Sequence, residues 1–80
     1  MKVVENMEKS IQSIGEKRIR VNFNPMGTDE IMFKKKEFAS LIDGLELQKK
    51  ETSDPEKLRI IATAQTKIEE AAMWTLKAMT

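Results

Sequence analysis

Residues from about 55 to 79 read as one helix with apolar positions on two of its sides, and one neighbouring helix can cover only one of them. One seam contains Leu58, Ile61, Ile68, Ala72, Leu76 and Met79. The other contains Ile60, Ala64, Ala71, Trp74 and Ala78. Ala64, Ala71 and Ala78 recur every seven residues, the spacing that lets helix backbones approach along a coiled-coil-like contact. Two arrangements satisfy the second seam: another copy of the chain, or the N-terminal segment folded back within one chain.

The partner for the first seam lies upstream. Thr28 is suited to cap a helix, and Asp29 and Glu30 place negative charge at its positive end. The helix extends to about Lys50, with Ile31, Phe38, Ile42 and Leu45 on one seam and Met32, Ala39 and Leu41 widening it; Lys34, Lys35, Lys36 and Glu37 read as a solvated stretch. Gly44 costs about 1 kcal/mol relative to alanine. In the break Thr52-Ser53-Asp54-Pro55-Glu56, Ser53 and Glu56 have capping-box spacing, and Asp54 before a first-turn Pro55 is the alternative cap. The connection is short enough to make the helices antiparallel.

Ahead of the hairpin, Val3, Val4, Met7, Ile11 and Ile14 fall three or four residues apart, predicting a short amphipathic helix ended by Gly15. This leader, residues 1–16, either docks on the rest of the chain or frays. Over residues 17–23, Ile19, Val21 and Phe23 alternate with Arg18, Arg20 and Asn22, the pattern of an extended segment whose polar face carries two arginines and an amide. Asn24-Pro25-Met26-Gly27 reads as a turn. The expected fold is all-α: a short N-terminal helix and an extended segment, then an antiparallel two-helix hairpin with helices at about 28–50 and 55–79. The hairpin domain spans residues 17–80 and assembles as a homo-oligomer.

Composition points the same way. Eighty residues form one domain that buries too little surface to be robust alone. The absence of cysteine and histidine removes disulfides, thiolate zinc sites, thiol nucleophiles and the usual proton shuttle of neutral pH. Self-association remains as the stabilising device. The same inventory argues against catalysis, because a hydrolase would then need paired carboxylates, a lysine base or an oxygen-ligated metal. Asp29-Glu30 and Glu69-Glu70 are sequence neighbours, so on a helix they splay by about 100° and read as solvated or capping charges. The three glycines are too widely separated for a phosphate-cradling loop. We therefore expect no enzyme activity, no cofactor and no metal site. Fourteen basic and thirteen acidic side chains nearly cancel, leaving no global field to hold DNA or an anionic membrane. No stretch has the length of a membrane span, and MKVVENMEKS lacks the features of a secretory signal, so the expected location is cytoplasmic.

Parts for a local anion site are present. Arg18, Arg20, Arg59, Lys67 and Lys77 lie near segment ends or along the last helix, and an arginine fork suits bidentate phosphate contacts. Asn22, Asn24, Gln65 and Thr66 offer hydrogen bonds to base or ribose edges, and Phe23 and Trp74 offer faces for stacking. Gln65 and Thr66 interrupt the apolar register of the last helix, either to specify that register or to contact a ligand. Trp74 serves either as core or interface, or as a base platform.

Three stretches carry a resemblance: Arg20-Val21-Asn22-Phe23-Asn24-Pro25-Met26-Gly27, then Phe38-Ala39-Ser40-Leu41-Ile42, then Ala64-Gln65-Thr66-Lys67-Ile68-Glu69-Glu70-Ala71-Ala72-Met73-Trp74. Over residues 19–79 the chain resembles small phage proteins that share a helical hairpin domain with the anti-CBASS and anti-Thoeris sponges. Those sponges bind cyclic oligonucleotide or cyclic ADP-ribose immune signals and so starve a host effector. The resemblance implies a homo-oligomer, often a hexamer, acting in the host bacterial cytoplasm. It would hold a cyclic di- or trinucleotide or cyclic ADP-ribose between hairpins without cleaving it. Arg59 and Thr66 look like the arginine and threonine that open the second hairpin helix in anti-CBASS members, and Asn24, Pro25 and Gly27 look like the turn before the first. Many relatives stack a tyrosine on a base; this chain has none, so either Phe23 substitutes, or the ligand set differs, or that binding is lost. The implied ligand set is Arg20, Asn22, Phe23, Asn24, Gly27, Arg59, Gln65, Thr66, Trp74 and Lys77. The alternative function is a structural or protein-binding helical module.

Overall fold

The computed structural model describes residues 11–21 and 28–80, and among these all regular structure is helical. Among the described residues three helices occur, in the order α1 (Ile14–Ile19), α2 (Asp29–Lys49) and α3 (Pro55–Ala78). Helices α2 and α3 pack together as the hairpin, and α1 lies mainly against α2.

The hairpin boundaries follow from capping chemistry. Thr28 accepts from the Ile31 amide at 3.3 Å to start α2. At the second break Asp54, rather than Ser53, takes the cap position, accepting from the Glu56 amide at 3.0 Å with Pro55 as the first helical residue. Pro55 has no amide hydrogen to leave unsatisfied there. Overlapping turns at Lys50, Glu51 and Thr52 close α2 on the carbonyls of Leu47, Gln48 and Lys49.

The first part of the chain differs from expectation. Gly15 does not end a helix; it is the second residue of α1, and residues 17–19 continue that helix where an extended segment was expected. Two local devices override the alternation of Ile19 and Val21. Ser13 and Glu16 form a complete capping box, with Ser13 Oγ accepting from the Glu16 amide and Glu16 Oε1 accepting from the Ser13 amide, each at 3.0 Å. Arg20 then adopts a left-handed conformation, φ 60° and ψ 51°, and the Val21 amide reaches back to the Glu16 carbonyl at 3.0 Å while the Arg20 amide donates to Lys17. That is the helix-terminating arrangement usually built on glycine, here carrying an arginine. Ile19 and Val21 are both buried, so the apolar positions keep their role while the backbone between them is helix and turn. The leader helix at residues 3–14 falls largely outside the described residues, as does the turn at residues 24–27.

A six-residue helix does not hold itself together in water, so docking must hold α1. The contact point is Gly15, whose amide donates to Asp43 Oδ1 at 2.7 Å. A β-carbon at this position would lie 2.0 Å from the Ala39 carbonyl oxygen, so only glycine allows so close an approach. The core formed by this docking comprises Ile19, Val21, Ala39, Ile42 and Ala72, with Met32, Phe38 and Ile68 packed against it. The Cα atoms span 41 × 40 × 12 Å.

Candidate functional site

Ile42 and Gln65 are the two largest fully buried side chains and mark the line along which α2 and α3 face each other. Gln65 Nε2 donates to the Ile42 carbonyl at 3.1 Å and to Glu46 Oε1 at 3.0 Å. Both amide hydrogens are thereby used, and Oε1 is buried without a hydrogen-bond partner among the described residues. Gln65, enclosed at 0% exposure, is thus engaged in the register of the hairpin. The bond from Gln65, reinforced by Lys49 and Lys50 and opposed by burial, holds the Glu46 carboxyl below its usual pKa of 4.5.

Rotating by one side-chain position from this line reaches different surroundings on the two sides of the hairpin. On one side α1 covers Ala39 and Asp43 of α2 and reaches Thr66 and Glu69 of α3. On the other, helical spacing groups Phe38, Leu41 and Leu45 with Ile60, Ala64, Ile68 and Ala71. Leu41 and Ile60 are more than half exposed, Ala71 is exposed, and the rest are half-buried. The second apolar seam of α3, including Trp74 at 60% exposure, is open over most of its length among the described residues.

The side bearing α1 carries a cleft of about 520 Å³ lined by side chains of all three helices. Arg18, Arg20, Lys35 and Thr66 supply hydrogen-bond donors, Ala72, Met73 and Leu76 supply an apolar wall, and Glu69 and Glu70 stand at its edge. Each element positions one part. The end of α1 presents Arg18, whose Nε and Nη2 donate to Glu69 Oε1 at 3.2 and 2.8 Å. The left-handed turn presents Arg20 and turns its carbonyl toward α2, where Lys35 Nζ donates to it at 3.1 Å.

Lys35 is a correction to the sequence reading, which placed it in a solvated stretch: it is 6% exposed. Burial, and after it the positive charge of Arg20, holds its ammonium below the usual pKa of 10.5. Arg20 and Lys35 interact with one another and share the cleft with Arg18, so three cationic side chains are available to an anion there. With an apolar wall opposite, the geometry fits a ligand that is charged at one end and flat or apolar at the other.

Of the residues expected from the sequence, Arg20 and Thr66 meet at this cleft. Arg59 does not: it is exposed, ion-paired with Glu56 one turn away, and about 10 Å along α3 from Thr66. Trp74 and Lys77 lie on the last turns of α3 outside the cleft lining, with Lys77 Nζ 5.6 Å from the Trp74 ring centroid. Asn22, Phe23, Asn24 and Gly27 lie outside the described residues. Lys35 and Glu69 are cleft residues that sequence reasoning passed over. The spacing of Lys35 with Ile31, Ala39 and Ile42 on one face of α2 was the available signal for the lysine; no local signal linked Glu69 to a residue 51 positions away.

No helix among the described residues is long and apolar enough to cross a membrane. Compared with known proteins, the chain matches no family model, no curated protein and no solved structure.

Proposed function

We propose that this chain captures an anionic nucleotide signal, a cyclic di- or trinucleotide or cyclic ADP-ribose, and holds it without cleaving it, in the manner of the phage sponges it resembles. The observation that carries the reading is the cleft: three basic side chains gathered by three helices around a wall of Ala72, Met73 and Leu76. Phosphate oxygens would be met by Arg18, Arg20 and Lys35, and a base or ribose by the methionine and leucine side chains with Thr66 beside them. Sequestration needs tight binding and no chemistry, which suits a chain without histidine or cysteine.

Self-association, to a hexamer or another closed oligomer, belongs to the same proposal. Its support is the face of Leu41, Ile60 and Ala71, exposed among the described residues, which a second copy would bury. The cleft lies on the opposite side of the hairpin from this face, so burying the face against a second copy would leave the cleft open. The same face also fits a foreign helix, as expected of a protein-binding module; a single-chain mass in solution would favour that reading.

Titration calorimetry against a panel of cyclic dinucleotides, cyclic trinucleotides and cyclic ADP-ribose tests the proposal. We expect one class to bind with a dissociation constant below about 1 μM, near −8 kcal/mol, and to be recovered chemically intact after heating the complex. Silence across the panel, or recovery of cleavage products, refutes it.

A further inference from the structure

The arginine fork of the cleft is held by a carboxylate of the same chain. Arg18 Nε and Nη2 both donate to Oε1 of Glu69, and Nη2 also lies 3.5 Å from Thr66 Oγ1. The pair is partly open to solvent, with side-chain exposures of 28% and 43%, and ion pairs so exposed are held weakly. Glu70 lines the same cleft but pairs along its own helix with Lys67, at 3.9 Å, and does not touch Arg18.

We propose that Glu69 is an internal stand-in for the phosphoryl group of the ligand, gripping the Arg18 fork in the empty protein and yielding it to phosphate oxygens on binding. A carboxylate and a phosphoryl group present similar oxygen pairs to a guanidinium. A phosphoryl group brings more charge and a third oxygen, which can reach the neighbouring cations Arg20 and Lys35 while Arg18 is engaged. A small monoanion has neither advantage, so the exchange filters weak anions from the cleft. Once displaced, Glu69 stays on the cleft wall beside Glu70, where both carboxylates can accept hydrogen bonds from the hydroxyl or amino groups of a nucleoside. The ligand's identity rests on the nucleotide-capture reading; the exchange itself concerns only Arg18, Glu69 and a phosphoryl oxygen.

Calorimetry of the full chain with inorganic pyrophosphate tests the exchange. E69Q removes the competing charge and should bind pyrophosphate about 2–5-fold more tightly than the wild type, the range that an exposed ion pair of this kind sets. E69A, which cannot offer an amide oxygen to Arg18, should tighten binding at least as much. E70Q removes the same charge from the same cleft without freeing Arg18 and should gain less than half of that, while R18M should lose at least about tenfold. Equal gains in E69Q and E70Q would reduce the effect to bulk charge and overturn the proposal. So would pyrophosphate binding by E69Q that is unchanged, weaker or undetectable. A silent cyclic-nucleotide panel together with tightened pyrophosphate binding by E69Q would refute the capture reading alone; nucleotide binding that E69Q leaves untouched would refute the exchange alone.

Discussion

Replacing Gly15 with alanine sets a methyl carbon 2.0 Å from the Ala39 carbonyl oxygen and 2.8 Å from Asp43 Oδ1, where ordinary contact needs 3.4 Å or more. The nearest obstacle is α2 backbone, so a rotamer change cannot relieve it. Two responses are open to the chain. It can shift α1 outward and distort its packing, which costs about 1–3 kcal/mol in overpacked sites. It can instead release α1, exposing Ile19 and Val21, each worth about 1.5–3 kcal/mol when fully buried, together with the bond from Gly15 to Asp43. The cheaper route sets the loss, so G15A should cost about 1–3 kcal/mol. Gly44 supplies an internal control, because a β-carbon there meets nothing within 4 Å. G44A should therefore stabilise α2 by about 0.5–1 kcal/mol through helix propensity alone. Urea unfolding followed by circular dichroism at one fixed protein concentration measures both. The same substitution, at two glycines of one protein, should move the midpoint in opposite directions. A G15A midpoint equal to the wild type, or above it, would refute the docking of α1 on Ala39.

Further outcomes follow from the same geometry. R20G relieves a left-handed residue with a β-carbon, a strain of about 1 kcal/mol, and should raise the unfolding midpoint while weakening pyrophosphate binding; a lowered midpoint contradicts the first half. Glu46 is held below its usual pKa of 4.5, so its contribution to stability is complete above pH 4.5 and is lost as pH falls through the lower folded value. Q65L removes the hydrogen bond chiefly responsible and should show a shallower loss of stability in acid; at neutral pH it should lie within about 1 kcal/mol of the wild type, because the substitution also removes a buried unpaired oxygen. A pH–stability curve for Q65L that is parallel to the wild type would exclude this role for Gln65. A71E places a charge on the exposed seam of α3 and should reduce the mass of any assembly while leaving helicity unchanged; an unaffected mass would move the interface elsewhere.

The hairpin was legible because its signals are local. Thr28, Asp54 and Pro55 act within four residues of themselves, and the α2 and α3 boundaries fall within about one residue of the reading from caps and periodicity. The open second seam was legible for the same reason, as a count of apolar positions around one helix. The segment before the hairpin was misread where two local signals conflicted. Gly15 looks like a helix stop, yet Ser13 and Glu16 already spelled a capping box, and the purpose of the glycine is a close approach to a backbone 24 residues away. Likewise the alternation through Ile19 and Val21 suits a strand, but a helix end followed by a left-handed residue buries the same two side chains. Lys35 and Glu69 escaped because charge in a polar run looks solvated until tertiary structure decides. Gln65 shows the converse: a polar residue in an apolar register announced a special role, and only the packing of α2 assigned it to register.

In the proposed assembly, this hairpin completes its apolar surface with further copies of itself. Sedimentation equilibrium of the full chain at about 10–100 μM measures this directly, because an interface of standard size holds subunits together at such concentrations. The expected mass is a whole-number multiple of one chain, twofold or greater. A single-chain mass across that range, with Trp74 fluorescence indicating a side chain shielded from solvent, would contradict it.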